Sequence, residues 1–154
     1  MIELAFLPLA LQAAAMFFDE VHFHRHRGLS RWERIGHPLD TGTVLACFGV
    51  AIVALPTPRW LVVYAALAGF SCLFITKDEP VHARECSPGE HWLHAVLFVL
   101  HPIVLAAVAL LWARGLRTFV VAQAAMTFAF GAYQLLYWNL PWRPSWSRRS
   151  TRVR

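Results

Sequence analysis

Five apolar stretches, at residues 1–18, 39–55, 60–76, 92–112 and 116–137, are separated by short clumps that hold nearly all of the charge. No other feature limits the fold so tightly. A helix needs about 20 mostly apolar residues to cross a bilayer core, with about 17 as a practical minimum. The last two stretches reach that length unaided, and the first three reach it by borrowing a turn from their flanks. The chain has 154 residues, of which 58% are hydrophobic, and a mean hydropathy of +0.48. A soluble domain of this size could not cover so much apolar surface. The sequence therefore reads as an all-α integral membrane protein with about five transmembrane helices.

Charge sets the expected orientation. The formal net charge is +5, which a nucleic-acid partner could explain, but the membrane accounts for it without one. With five spans, segments 19–39, 77–91 and 138–154 share a side and hold eleven of the fourteen Lys/Arg residues; the opposite side holds Arg59, Arg114 and Arg117. Cytoplasmic loops carry the excess of Lys and Arg. The expected placement is the inner (cytoplasmic) membrane, multi-pass, with the N-terminus external and the polar loops and C-terminus cytoplasmic. The first stretch carries Glu3 and no basic residue, so it lacks the charged start of a signal peptide. Residues 141–154 read as a basic cytoplasmic tail lying on anionic lipid.

One polar pattern occurs twice. Ser30-x-x-Glu33-x-x-x-His37 is matched by Ser87-x-x-Glu90-x-x-x-His94, 57 positions later, and each is preceded by an Asp-Glu pair, Asp19-Glu20 and Asp78-Glu79, 59 positions apart. This suggests a tandem duplication: two two-helix units at about 1–56 and 57–113, a fifth span at 115–138, and a single transmembrane domain over 1–140. Ser-x-x-Glu is a capping box, in which the Ser hydroxyl accepts from the Glu N–H and the Glu carboxylate reaches back. Helices are expected to begin at Ser30 and Ser87. The His four residues after each Glu then lies one turn on, along the same face. Pro38 is expected to bend the second span near its start.

Eight of the nine acids and seven of the eight His lie at 19–40 and 78–94, the two polar segments and the first turns of the helices that follow them. The bilayer explains why acids avoid the spans, but not why the opposite loops have none, nor the His enrichment. His101 lies seven residues after His94, on the same helix face about 10 Å deeper, and ionisable groups inside spans usually face an interior site. If the two units pack side by side, four helix ends meet. The candidate metal ligands are Glu20, His22, Glu33, His37, Asp78, Glu79, His82, Glu90, His94 and His101. Asp40 is placed to orient His37. His24 and His26 alternate with Arg25 and Arg27, and read as solvated or headgroup-facing. Gln123, Thr127 and Gln134 form a polar stripe on the fifth span that should face the bundle. Cys47 and Cys72 read as packing residues and Cys86 as a loop cysteine, with no disulfide framework.

Carboxylate and imidazole with little thiolate suit iron, manganese or zinc. The ligand set resembles that of helical-bundle di-iron proteins, four carboxylates and two His, although the spacing there is Glu-x-x-His. The expectation is a membrane-embedded metalloprotein with a dinuclear, di-iron-like site at the cytoplasmic interface, acting as an oxidoreductase on a lipid or quinone. Membrane lipids, a second copy of the chain and no nucleic acid are the expected partners. Three other readings stay open: a zinc-type hydrolase of a lipid, a metal transporter or chaperone, and a b-type haem protein using His37, His94 or His101. A structural scaffold subunit is the fourth.

Overall fold

The computed structural model describes residues 2–140, so the basic tail expected at 141–154 lies outside the described residues. Among these, all regular structure is helical. Five helices are long and apolar enough to cross a membrane: α1 (Glu3–Arg27), α2 (Arg31–Val53), α3 (Pro58–Glu85), α4 (Pro88–Ala113) and α5 (Arg117–Asn139).

The helix starts follow the sequence. Ser30 is extended, its Oγ accepts from the Glu33 N–H at 3.4 Å, and its own N–H donates to Glu33 Oε2 at 2.9 Å, closing the box at the head of α2. Ser87 caps α4 in the same conformation, its Oγ accepting from the Glu90 N–H at 3.3 Å. The return bond to the Ser87 N–H is not made. Glu90 Oε1 accepts from Arg27, a charge-assisted bond that Glu33 makes in addition to its own box.

The polar segments are more helical than their composition suggests. α1 continues past Asp19 through a π turn at Asp19–His24 and then Arg25–Arg27. It stops at Gly28, whose φ of 81° suits glycine best. α3 continues past Phe74 through a 3-10 turn at Ile75–Asp78 and a last α segment at Glu79–Glu85. Each Asp-Glu pair thus sits where its helix departs from α geometry. Such departures collect at functional sites.

α2 packs most extensively against α5 and also against α3, while α1 packs on α4. Gly131 allows the close α2–α5 approach: a Cβ there would lie 2.6 Å from Thr41 Cγ2. The core of the opposite half is built on Cys47, Phe48, Leu105, Val108, Leu111 and Trp112. Cys47 is fully buried with Cys72 packed against the same cluster, as expected of packing cysteines. Tyr64 Oη donates to Leu105 O at 2.7 Å, which satisfies a buried hydroxyl. Outside, Val62, Leu73 and Phe128 are 69%, 74% and 65% exposed, a surface that favours hydrocarbon over water. The C-terminal ends of α1, α3 and α5 and the N-terminal ends of α2 and α4 gather at one end of the bundle, and the polar residues gather with them.

Candidate metal centre

Four imidazoles form a closed ring at that end. His24 and His37 have ring centroids 5.1 Å apart, His37 and His82 6.4 Å, His82 and His94 4.1 Å, and His94 and His24 6.0 Å. Each of α1, α2, α3 and α4 supplies one. His24, His82 and His94 are buried and His37 is half-buried.

Carboxylates surround the ring. His94 Nε2 lies 3.0 Å and His24 Nε2 3.1 Å from the same oxygen, Asp19 Oδ2, and His24 Nε2 lies 3.9 Å from Glu90 Oε1. Asp19, His24, Glu90 and His94 can each offer a ligand atom within 4.8 Å of the others; so can Glu33, His37 and His82, a set that shares no residue with the first. A third set, His82, Cys86 and His94, borrows from both. Burial, followed by the neighbouring Glu90 carboxylate, pushes the Cys86 thiol well above its ordinary range, so it stands as a neutral thiol.

The π turn puts His24 in the centre. In an α-helix Asp19 would share a face with His22, but an i→i+5 turn stacks Asp19 over His24. His22, expected at the site, is instead exposed and stacks on Phe18, with ring centroids 4.9 Å apart. His24, read from sequence as headgroup-facing, is 2% exposed. Glu20 sits behind it: Oε2 lies 3.3 Å from His24 Nδ1, while Oε1 accepts from Tyr133 Oη at 3.0 Å and Trp138 Nε1 at 2.9 Å. A carboxylate on one ring nitrogen fixes the imidazole and aims the other nitrogen inward. Glu20 is thereby an orienting group, and α5 contributes to the site through it.

Arg27 is the central cation. Nη2 donates to Glu33 Oε1 at 2.6 Å and to Glu90 Oε1 at 2.8 Å, Nη1 to Glu33 Oε2 at 3.1 Å, and Nε to Glu90 Oε1 at 3.1 Å. One guanidinium joins the two capping glutamates. A carboxylate has about four lone-pair positions, so both keep capacity toward the imidazoles.

Other expected ligands lie elsewhere. Asp78 is buried at the edge of the ring, accepting from Trp32 Nε1 at 2.7 Å and Lys77 Nζ at 2.9 Å. Asp40 shares Lys77, 2.7 Å away, and does not contact His37 by a hydrogen bond. Glu79 is half exposed and pairs with His91 at 2.9 Å, away from the ring. His101 lies deeper, its Nε2 2.9 Å from Ser71 Oγ, which in turn lies 2.7 Å from Thr43 Oγ1.

Several buried polar atoms at the ring have no hydrogen-bond partner: both ring nitrogens of His82, His24 Nε2 and Asp19 Oδ1. His24 Nε2 is near Asp19, but the pair is not aligned for a hydrogen bond. Unpartnered buried polar groups are uncommon in folded proteins and call for an explanation such as an ion. No family model, curated protein or solved structure matches this chain.

Proposed function

We propose that the chain is a membrane-embedded metalloprotein whose carboxylate/His centre holds two transition-metal ions, iron first among the candidates, and that it works as an oxidoreductase on a lipid-soluble substrate such as a quinone. The observation that carries the reading is His82: a buried imidazole on which neither nitrogen has a partner, set within a ring of three more imidazoles. A metal ion satisfies such nitrogens, and leaving them bare costs about 1–3 kcal/mol each.

The sequence repeat supports two ions. Asp19 pairs with Asp78 at an offset of 59, His24 with His82 at 58, and Glu33 with Glu90 and His37 with His94 at 57. Under this pairing the set Asp19, His24, Glu90 and His94 maps onto Asp78, His82, Glu33 and His37. Three of those four form the second, disjoint ligand set. The fourth, Asp78, lies outside that set and accepts from Trp32 and Lys77. A second position with three protein ligands would keep room for a reacting molecule, as reactive metal sites do.

Charge points the same way. Written as ionised, Asp19, Glu20, Glu33, Asp40, Asp78 and Glu90 form ion pairs with two Lys or Arg side chains among the described residues, Arg27 and Lys77, an excess of four negative charges before the imidazoles are counted. Two divalent cations neutralise that excess, which is otherwise costly to hold away from water. The five apolar helices suit a multi-pass protein of the inner membrane. The basic segments at the metal end support a cytoplasmic side for it and an external N-terminus.

The other readings fit less well. Haem ligation uses the imidazoles and leaves the carboxylates idle. Transport needs a polar path, and the polar side chains thin out beyond His101. No specific observation favours hydrolysis over redox chemistry.

The test is elemental analysis of protein purified in mild detergent, with an optical spectrum of the same sample. About two iron, manganese or zinc ions per chain are expected. A Soret band would point to haem instead, and no bound metal after anaerobic loading with each candidate ion sinks the reading.

A further inference from the structure

A cavity of about 480 Å³ runs from the histidine ring into the apolar half of the bundle, within the usual 300–1,000 Å³ of small-molecule sites. Asp19, His24, His37, His82 and His94 line its inner end. Gln12 and Met16 of α1 and Gln123, Met126, Thr127 and Gln134 of α5 line its side. Its wall is largely apolar, and no Lys or Arg lines it among the described residues.

The cavity lies along the seam between α1 and α5. Among the described residues, the hydrogen bonds and ring contacts that join these two helices lie at the ends of the seam. At one end Phe6 meets Phe119 edge to face, with centroids 5.0 Å apart. At the other, Tyr133 and Trp138 donate to Glu20, and Arg25 donates to Tyr133 at 3.3 Å. Between these pins the seam is lined by the cavity, and two lining residues, Phe17 and Met126, are 67% and 61% exposed. The seam therefore opens sideways from the bundle, on the surface that faces hydrocarbon.

The polar groups inside define the head of the occupant. Gln134 is 5% exposed, and its Oε1 has no partner; Gln12 Oε1, on the opposite wall, has none either. Both are amides, which pair with a hydroxyl in either orientation because a hydroxyl donates and accepts. An anionic head would meet Asp19, Asp40 and Asp78 with no lining Lys or Arg to receive it.

We propose that this cavity binds a neutral, hydroxyl-headed molecule with an apolar chain, which enters from the bilayer between α1 and α5 and sets its hydroxyl end toward the histidine ring. The proposal rests on the metalloprotein reading only for what lies at the inner end. A phenol or hydroquinone and an aliphatic alcohol share the required chemistry.

Native mass spectrometry of the protein in detergent tests it, with metal content measured on the same samples. The probes are 4-decylphenol, 1-dodecanol, dodecane, laurate and dodecyl phosphate. One adduct per chain is expected with 4-decylphenol or 1-dodecanol, the better of the two naming the source. Binding of dodecane, laurate and dodecyl phosphate is expected to be at least roughly tenfold weaker. Ala13→Trp, at an exposed position on the seam, should abolish the adduct with metal content unchanged. Gln134→Leu should weaken it roughly fivefold, the scale of one neutral hydrogen bond. Equal binding of dodecane or of the anionic probes overturns the proposal, as does an adduct that survives Ala13→Trp. Metal-loaded protein that binds neither hydroxyl probe overturns it while leaving the metal centre standing; probe binding by protein that takes up no metal does the reverse.

Discussion

His82 and His94 meet across the α3–α4 junction, their rings inclined by 44° with centroids 4.1 Å apart. They belong to different disjoint ligand sets, His82 with Glu33 and His37, His94 with Asp19, His24 and Glu90. If each set holds one of the two proposed ions, the ions are independently removable. Asp19→Ala and His37→Ala are each expected to lower the metal content from about two ions per chain to about one, and the double variant to about zero. Elemental analysis reads this directly. Loss of both ions in either single variant would mean one shared site.

Acid should strip the centre. A proton and a metal ion compete for the same imidazole nitrogen. Metal content measured after dialysis at a series of pH values should be full at pH 8 and fall in acid. Metal content that stays the same at every pH where the protein remains folded would argue that the imidazoles are not ligands.

Arg27 is expected to matter to folding more than any other surface-reaching cation. Removing it leaves Glu33 and Glu90, 0% and 1% exposed, without their shared partner. Breaking one side of a buried pair costs about 3–5 kcal/mol. Thermal unfolding of Arg27→Ala in detergent should show a large loss in metal-free protein and a smaller one when metal is bound, because the ions take over part of the charge. An unchanged midpoint in metal-free protein is the contrary result.

The α2–α5 contact has no spare room. At Gly131 even an Ala Cβ would sit 2.6 Å from Thr41 Cγ2, and overpacking of this kind costs about 1–3 kcal/mol. Gly131→Ala should lower stability by that amount, and pairing it with Thr41→Gly should restore most of it. A double variant no better than the single one would place the strain elsewhere.

Cys86 should react slowly with thiol reagents. Burial and the carboxylates beside it raise its thiol above the ordinary range near 8.5, so the reactive thiolate is scarce at pH 8 and grows only as pH rises further. In a Cys47→Ala, Cys72→Ala background, metal-free protein should label far more slowly than the denatured chain at the same pH. Equal rates would show an ordinary thiol.

The sequence by itself determined the five apolar helices, the serine caps of α2 and α4, and the end of the bundle where acids and imidazoles meet. These are local matters: hydropathy over a span, a hydroxyl three residues before a glutamate, charge kept off hydrocarbon. It also placed Glu33, His37, His82, Glu90 and His94 in that end by their spacing alone. What only the tertiary structure decided was the pairing across helices. The π turn at Asp19–His24 brought His24 inward and left His22 outside; its one sequence trace is the repeat offset, which falls from 59 at Asp19 to 58 at His24. Arg27 read as a headgroup contact, because nothing local shows that two glutamates 57 residues apart will share it. Glu79 matched the motif yet points away, toward His91. Spacing along one helix fixes which face a side chain takes, but a ligand set is made by faces from four helices, and those meet only when the bundle packs.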